Sequence, residues 1–124
     1  MAIADANIIL RYILDDHEEL SAKAAEIIEN NTITLPIEVA CEIVFVLQKV
    51  YRVERDKIQG VLSELITKGL VSLEKPELLL KALDCYGETK FDFVDCLPWS
   101  YHEVEQESIF TFDRKLEKYI QRQV

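Results

Sequence analysis

Several carboxylates in this chain stand where ordinary turn and surface roles explain them poorly. Near the N-terminus, "AIADANIIL" is an apolar run that breaks at Asp5, with Asn7 two residues later. Near the C-terminus, "SIFTFDRKL" passes through an apolar stretch, 109–112, and ends on Asp113, Arg114 and Lys115. Between them, "PIEVACEIVFVLQ" sets Glu42 among apolar neighbours, and "FDFVDCLPW" supplies Asp92 and Asp95. Some acids of these segments also have a plain alternative role. Asp92 and Asp95 suit a helix N-cap, and their spacing resembles a capping arrangement. Glu38, one turn before Glu42, suits the positive end of a helix dipole. Glu42 lies beyond that first turn in a helix apolar nearly all round, which predicts burial, and a buried glutamate needs a cation or an open crevice. Carboxylates crowded in water-poor surroundings repel unless a cation neutralises them. Oxygen-only ligands select a hard divalent ion, Mg²⁺ or Mn²⁺, the ions of phosphoryl chemistry.

Convergence of these acids depends on the elements that carry them. Ile3 and Ala4 make a minimal first strand, and 7–14 follows with helical spacing. A helix over 18–29 has Leu20, Ala24, Ile27 and Ile28 on one side, with Asn30 and Asn31 as stop residues. "TITLP" reads as a second strand, and Pro36 opens a long apolar helix over 37–51. A further amphipathic helix covers 55–69 and stops at Gly69. "LVSL" is a third strand, 76–86 a helix and "GETKF" a loop. A helix from 92 to about 106, a fourth strand over 109–112 and a last helix over 115–123 complete the chain. Strands alternating with helices predict an α/β domain with a parallel sheet. Ligands of such sheets bind outside the carboxyl ends of the strands, the edge where Asp5 and Asp113 would lie.

The 124 residues suit one domain, spanning 1–124, and half of them are hydrophobic. No apolar run approaches the ~18 residues of a membrane helix, and no basic n-region precedes an apolar stretch. Cys41, Cys85 and Cys96 are odd in number and set among apolar residues. They read as reduced core cysteines, which points to a cytoplasmic protein. Neither His17 nor His102 has metal-ligand spacing to a cysteine. The net charge of -9 counts against non-specific nucleic-acid binding, but suits an acidic centre that holds cations or a protein that docks a basic partner.

"ADANIILRYIL", "LPIEVACEIVFVLQKVY", "FDFVDCL" and "IFTFDRKLEK", in that order, resemble the motifs of PIN-domain ribonucleases, and within them the VapC-type toxins of prokaryotic toxin–antitoxin pairs. The likeness implies a three-layer α/β/α sandwich around a mainly parallel sheet of four to five strands. It carries the family's acidic quartet onto Asp5, Glu42, Asp95 and Asp113, with Asn7 and Thr111 as a supporting polar pair and Asp92 as the acid preceding the third carboxylate. It further implies Mg²⁺ or Mn²⁺, an RNA substrate, a homodimer and a VapB-like antitoxin. Leu97, Pro98 and Trp99 depart from the usual small and leucine residues after the third acid. Proline is harmless in a helix's first turn, so the expectation is a helix that starts at Asp95. A fifth edge strand, common in relatives, has no counterpart after the last helix.

The chemistry expected is metal-assisted hydrolysis of an RNA phosphodiester, with Asp5, Asp95 and Asp113 as direct or water-mediated ligands. Glu42 would orient water or complete a metal shell, and Asn7 and Thr111 would fix carboxylate orientation. Arg114 and Lys115, which adjoin Asp113, and Arg11, one to two turns past Asp5, are the candidate phosphate contacts. Lys118, Arg122, Lys49, Arg52, Arg55 and Lys57 are further cations that a solvated surface also explains. Other classes fit less well. A receiver domain wants paired acids near the first strand and a lysine ending a late one. A haloacid-dehalogenase-like phosphatase wants D-x-D, where this chain has Asp5, Ala6, Asn7. A catalytically weak interaction module is the more serious rival, using the helices from 37 and from 55 as a groove for a partner helix.

Overall fold

The computed structural model describes residues 2–122. Three two-residue strands, β1 (Ala2–Ile3), β2 (Ile33–Thr34) and β3 (Val71–Ser72), pair in parallel in the order β1-β2-β3. Ala2 lies opposite Ile33, and Ile33 opposite Val71. Parallel strands need long crossovers. Helices α1 (Ala6–Leu14) and α2 (Glu18–Asn30) join β1 to β2, and α3 (Ile37–Lys49) and α4 (Arg55–Thr67) join β2 to β3. Helices α5 (Pro76–Glu88), α6 (Phe93–Glu105) and α7 (Arg114–Arg122) follow. No helix among the described residues is long and apolar enough to cross a membrane.

With so short a sheet, packed helices supply most of the core. Ile9 of α1, Ile43 and Leu47 of α3, Ile58 and Leu62 of α4, and Leu79 and Leu83 of α5 are almost wholly buried in one cluster with Ile33 and Tyr86. Cys85 and Cys96 are buried there, Cys41 is half-buried, and all three are free thiols, as the sequence suggests. Gly69 ends α4 with φ 74, and the amides of Gly69 and Leu70 close back on the carbonyls of Ile66 and Leu65. This is the left-handed stop that glycine adopts without a Cβ clash.

Two expectations need correction. Residues 109–112 form no strand, so the described sheet has three strands rather than four or five. Their alternation is real: Ile109 and Thr111 are half-buried, while Phe110 and Phe112 are fully exposed. Alternation marks an extended chain lying on a surface, but a strand also needs a ladder partner, and this segment has none. The second correction concerns α6, which begins at Phe93 and not at Asp95, with Asp92 at its N-cap. Pro98 therefore lies inside the helix and removes the amide that would bond the carbonyl of Val94. Val94 is on the exposed side, where water can serve that carbonyl. The last residue of the expected C-terminal helix, 123, lies outside the described residues.

One side chain fixes the turn between α5 and α6. The Arg55 guanidinium, at the start of α4, donates through Nη1 to the carbonyls of Tyr86 (3.1 Å) and Phe91 (2.7 Å), and through Nη2 to that of Lys90 (3.1 Å). Its Cζ stands 4.3 Å from the centre of the Tyr86 ring, whose hydroxyl donates to Gln48 of α3 at 2.7 Å. Arg55, read from sequence as a candidate surface cation, is thus spent on structure. Arg55→Ala should destabilise the fold by about 3 kcal/mol, the loss of a charge-assisted set of bonds and a cation–π contact. Arg55→Lys should recover less than half of that, because an ammonium cannot fork between carbonyls. Urea denaturation of the three proteins measures both.

Candidate active site

Asp5 follows β1 at the carboxyl edge of the sheet. Its Oδ1 accepts the Ile8 amide at 3.2 Å, so it is the N-cap of α1. The carboxylate is exposed in an open crevice with Ile8 and Val39. Asn7 is exposed in the first turn of the same helix.

The crevice reaches Val39 of α3, and Glu42 lies one turn further on. Glu42 is exposed, contrary to the burial expected of it. The helix is not apolar all round: Glu38, Glu42, Phe45 and Lys49 form an exposed stripe at helical spacing, while Ala40, Ile43, Val44 and Leu47 face the core. At about 100° per residue, Glu42 projects between Val39 and Phe45. Phe45 lines a second crevice of about 420 Å³ with Gln48, Lys49, Asp92 and Asp95. Glu42 thus sits on the ridge between the Asp5 crevice and the Asp95 crevice.

Asp95 is half-buried in the first turn of α6, and its amide bonds the Asp92 carbonyl at 3.0 Å. Its carboxyl is raised above the ordinary value of 3.8, first by partial burial, then by the charges of Asp92 and Asp113. The field of a helix N-terminus favours the ionised form, so burial and two like charges outweigh it here. Asp113 is exposed before α7. Its Oδ1 accepts the amides of Lys115 (2.9 Å) and Leu116 (3.2 Å), and its own amide donates to Thr111 Oγ1 (3.0 Å). Thr111 therefore orients the Asp113 backbone, and Asp113 caps α7. The fold brings Asp92, Asp95 and Asp113 into one electrostatic neighbourhood, whereas Asp5 lies in the other crevice and Glu42 lines neither.

Among the described residues no three Asp, Glu, His or Cys side chains come together closely enough to hold a metal ion. The chemistry of the donors fits a hard divalent cation, since all are oxygens and Asp95 carries repulsion that a cation would relieve. The positions of the side chains do not make a ready ligand cage. Of the cations, Arg114 and Lys115 are exposed at the start of α7. Arg11 is held by Asp16 at 2.6 Å and by the Tyr51 hydroxyl at 2.9 Å. Sequence reasoning missed Gln48, Phe45 and Val94 at the Asp95 crevice. The 3–4 spacing of Phe45 from Glu42 and Lys49 was the available signal, obscured because phenylalanine reads as core.

The fold is a parallel α/β domain in which Asp5 follows a strand of the sheet and Asp92, Asp95 and Asp113 gather near the starts of α6 and α7. The chain matches the PIN domain over residues 2–120 and belongs to that family, a family of nucleases that typically bind divalent metals. No curated protein and no solved structure matches it significantly.

Because the folded state raises the Asp95 carboxyl, the ionised form opposes folding. That penalty is absent below the unfolded value near 3.8, grows as pH rises through the folded value, and is complete above it. Asp95→Asn should therefore match or exceed wild-type stability at pH 7, and the advantage should vanish below about pH 4. Denaturation at a series of pH values shows it. Asp113→Asn keeps an acceptor for the cap and removes the charge, so NMR titration of Asp95 in that variant should give a lower pKa. Asp113→Ala should in addition cost about 1 kcal/mol from the lost cap of α7.

Proposed function

We propose that this chain is a metal-dependent endoribonuclease that hydrolyses RNA phosphodiester bonds, with Asp5, Glu42, Asp95 and Asp113 as its working carboxylates. The observation that carries the reading is Asp95, at the start of α6, whose carboxyl is raised first by partial burial and then by the charges of Asp92 and Asp113. A part-buried carboxyl beside two like charges, in a chain of a nuclease family, is an arrangement that a bound cation would relieve. Asp5, Asp95 and Asp113 would hold Mg²⁺ or Mn²⁺, with Glu42 beside them. A bound divalent ion supplies charge neutralisation and a water of lowered pKa. The chain's own residues position the rest. Asp113 is fixed by two amides of α7 and through Thr111. Arg114 and Lys115, beside it, offer charge to a substrate phosphate. Arg11 serves RNA only if it exchanges Asp16 for phosphate.

The same reading takes the protein as the toxin of a toxin–antitoxin pair, a cytoplasmic homodimer neutralised by a basic VapB-like antitoxin. The net charge of -9 supports a basic partner. A second reading, a catalytically weak interaction module, draws on exposed Phe45, Val94, Phe110 and Phe112. Incubation with an RNA mixture separates the two. Cleavage should need Mn²⁺ or Mg²⁺, stop with EDTA, and fall at least a hundredfold in Asp95→Asn, Asp113→Asn and Asp5→Asn. Mn²⁺ at a hundredfold excess over its dissociation constant should stabilise wild type by about 2.7 kcal/mol and the variants much less. RNA left intact, with Mn²⁺ acting on all proteins alike, overturns the nuclease reading in favour of the module.

A further inference from the structure

The turn that Arg55 grips and one face of α7 line an open cleft of about 470 Å³. Lys90 and Phe91 line it from the turn, and Lys115, Lys118 and Arg122 from the helix. We propose that this cleft seats a single-stranded RNA segment flanking the bond to be cut, phosphates along the cations and one base against Phe91. The proposal rests on the nuclease reading and adds the path of the strand.

Charge supports it first. Lys115, Lys118 and Arg122 fall at the i, i+3, i+7 spacing of one helix face, a row about 10 Å long. In a chain of net charge -9, none of these three, nor Lys90, forms an ion pair with an acid among the described residues. A stripe of cations along one helix face is the electrostatic footprint of polyanion binding.

The aromatic floor comes next. Phe91 is half-buried and braced edge-on by Tyr119, with ring centres 5.7 Å apart at 79°. Tyr119 leans on Trp99 at 5.3 Å, and its hydroxyl donates to Glu88. The Phe91 and Lys90 carbonyls are bound by Arg55. Phe91 is therefore held before any ligand arrives, as a platform for a stacked base requires. An acidic peptide would use the cations but has no use for a rigid ring at the end of the row.

Continuity with the acids is the third support. The Lys115 amide bonds Asp113 Oδ1 at 2.9 Å, so the row starts two residues from a working carboxylate. A strand lying along α7 reaches the scissile position without leaving the protein.

The test measures binding of a twelve-residue oligouridylate by calorimetry in EDTA, where no cleavage occurs, over a range of salt. Lys118→Glu with Arg122→Glu, both exposed and outside the acidic site, should weaken binding at least tenfold. The log–log salt slope should shrink by about 1.4, or 0.7 for each lost phosphate contact. Phe91→Leu should weaken binding several-fold and leave the slope unchanged. Unchanged affinity and slope in the double reversal, or no oligouridylate binding by wild type, overturns the cleft even where RNA is cleaved. Equal or tighter binding of a polyglutamate peptide, lost in the same double reversal, also overturns it and makes the cleft a protein-docking site. Should cleavage fail while the binding pattern holds, the nuclease reading falls and the RNA cleft stands.

Discussion

The grip of Arg55 on three backbone carbonyls is the constraint that sets the turn between α5 and α6 and, through it, the start of α6. Carbonyls at a helix C-terminus and in the turn beyond it have lost their helical donors, and burial without replacements is costly. A guanidinium meets several at once in a fixed fork, where a row of waters would leave the turn free to rearrange. The same group lies on the Tyr86 ring, and Tyr86 reaches Gln48, so α3, α4, α5 and the entry to α6 are tied through one side chain. The direction in which α6 sets out follows from that knot, and with it the placing of Asp92 and Asp95. The turn's other side forms the wall of the basic cleft. Acidic site and cationic row thus share a single anchor.

The acids illustrate how capping and ligation ask for the same geometry. A carboxylate that caps a helix must sit beyond a strand or loop with an oxygen turned toward the first amides. At the carboxyl edge of a parallel sheet, that is also where it faces a ligand. Asp5 and Asp113 each satisfy amides of the following helix, which fixes them without cancelling their charge. Asp95 is different: it is placed by the helix it belongs to, and its carboxyl is raised by partial burial and by the charges of Asp92 and Asp113.

Periodicity made most of the architecture readable. The seven helices and the three short strands lie close to where apolar spacing, Pro36, Pro76 and Gly69 put them. The capping positions of Asp5 and Asp113 were readable because each breaks a local apolar run just before a helix. Strand status at 109–112 was not, because pairing depends on a neighbour that a local window never sees. The start of α6 was not legible because Pro98, which locally favours a start at Asp95, lies on the exposed side of the helix. An exposed helix side tolerates the lost bond. The exposure of Glu42 and the structural use of Arg55 depend on contacts between segments far apart in the chain, and no local pattern encodes them.

Trp99 is the single tryptophan of the chain, nearly buried, with its indole tilted on Tyr119 of α7 and its Nε1 without a partner among the described residues. An indole in dry, apolar surroundings emits at shorter wavelength than one in water. The protein therefore carries an intrinsic optical reporter at the joint between α6 and α7. Detachment of α7 would redden the emission while the rest of the helices stay packed, so undocking of that one element can be followed in real time without a label.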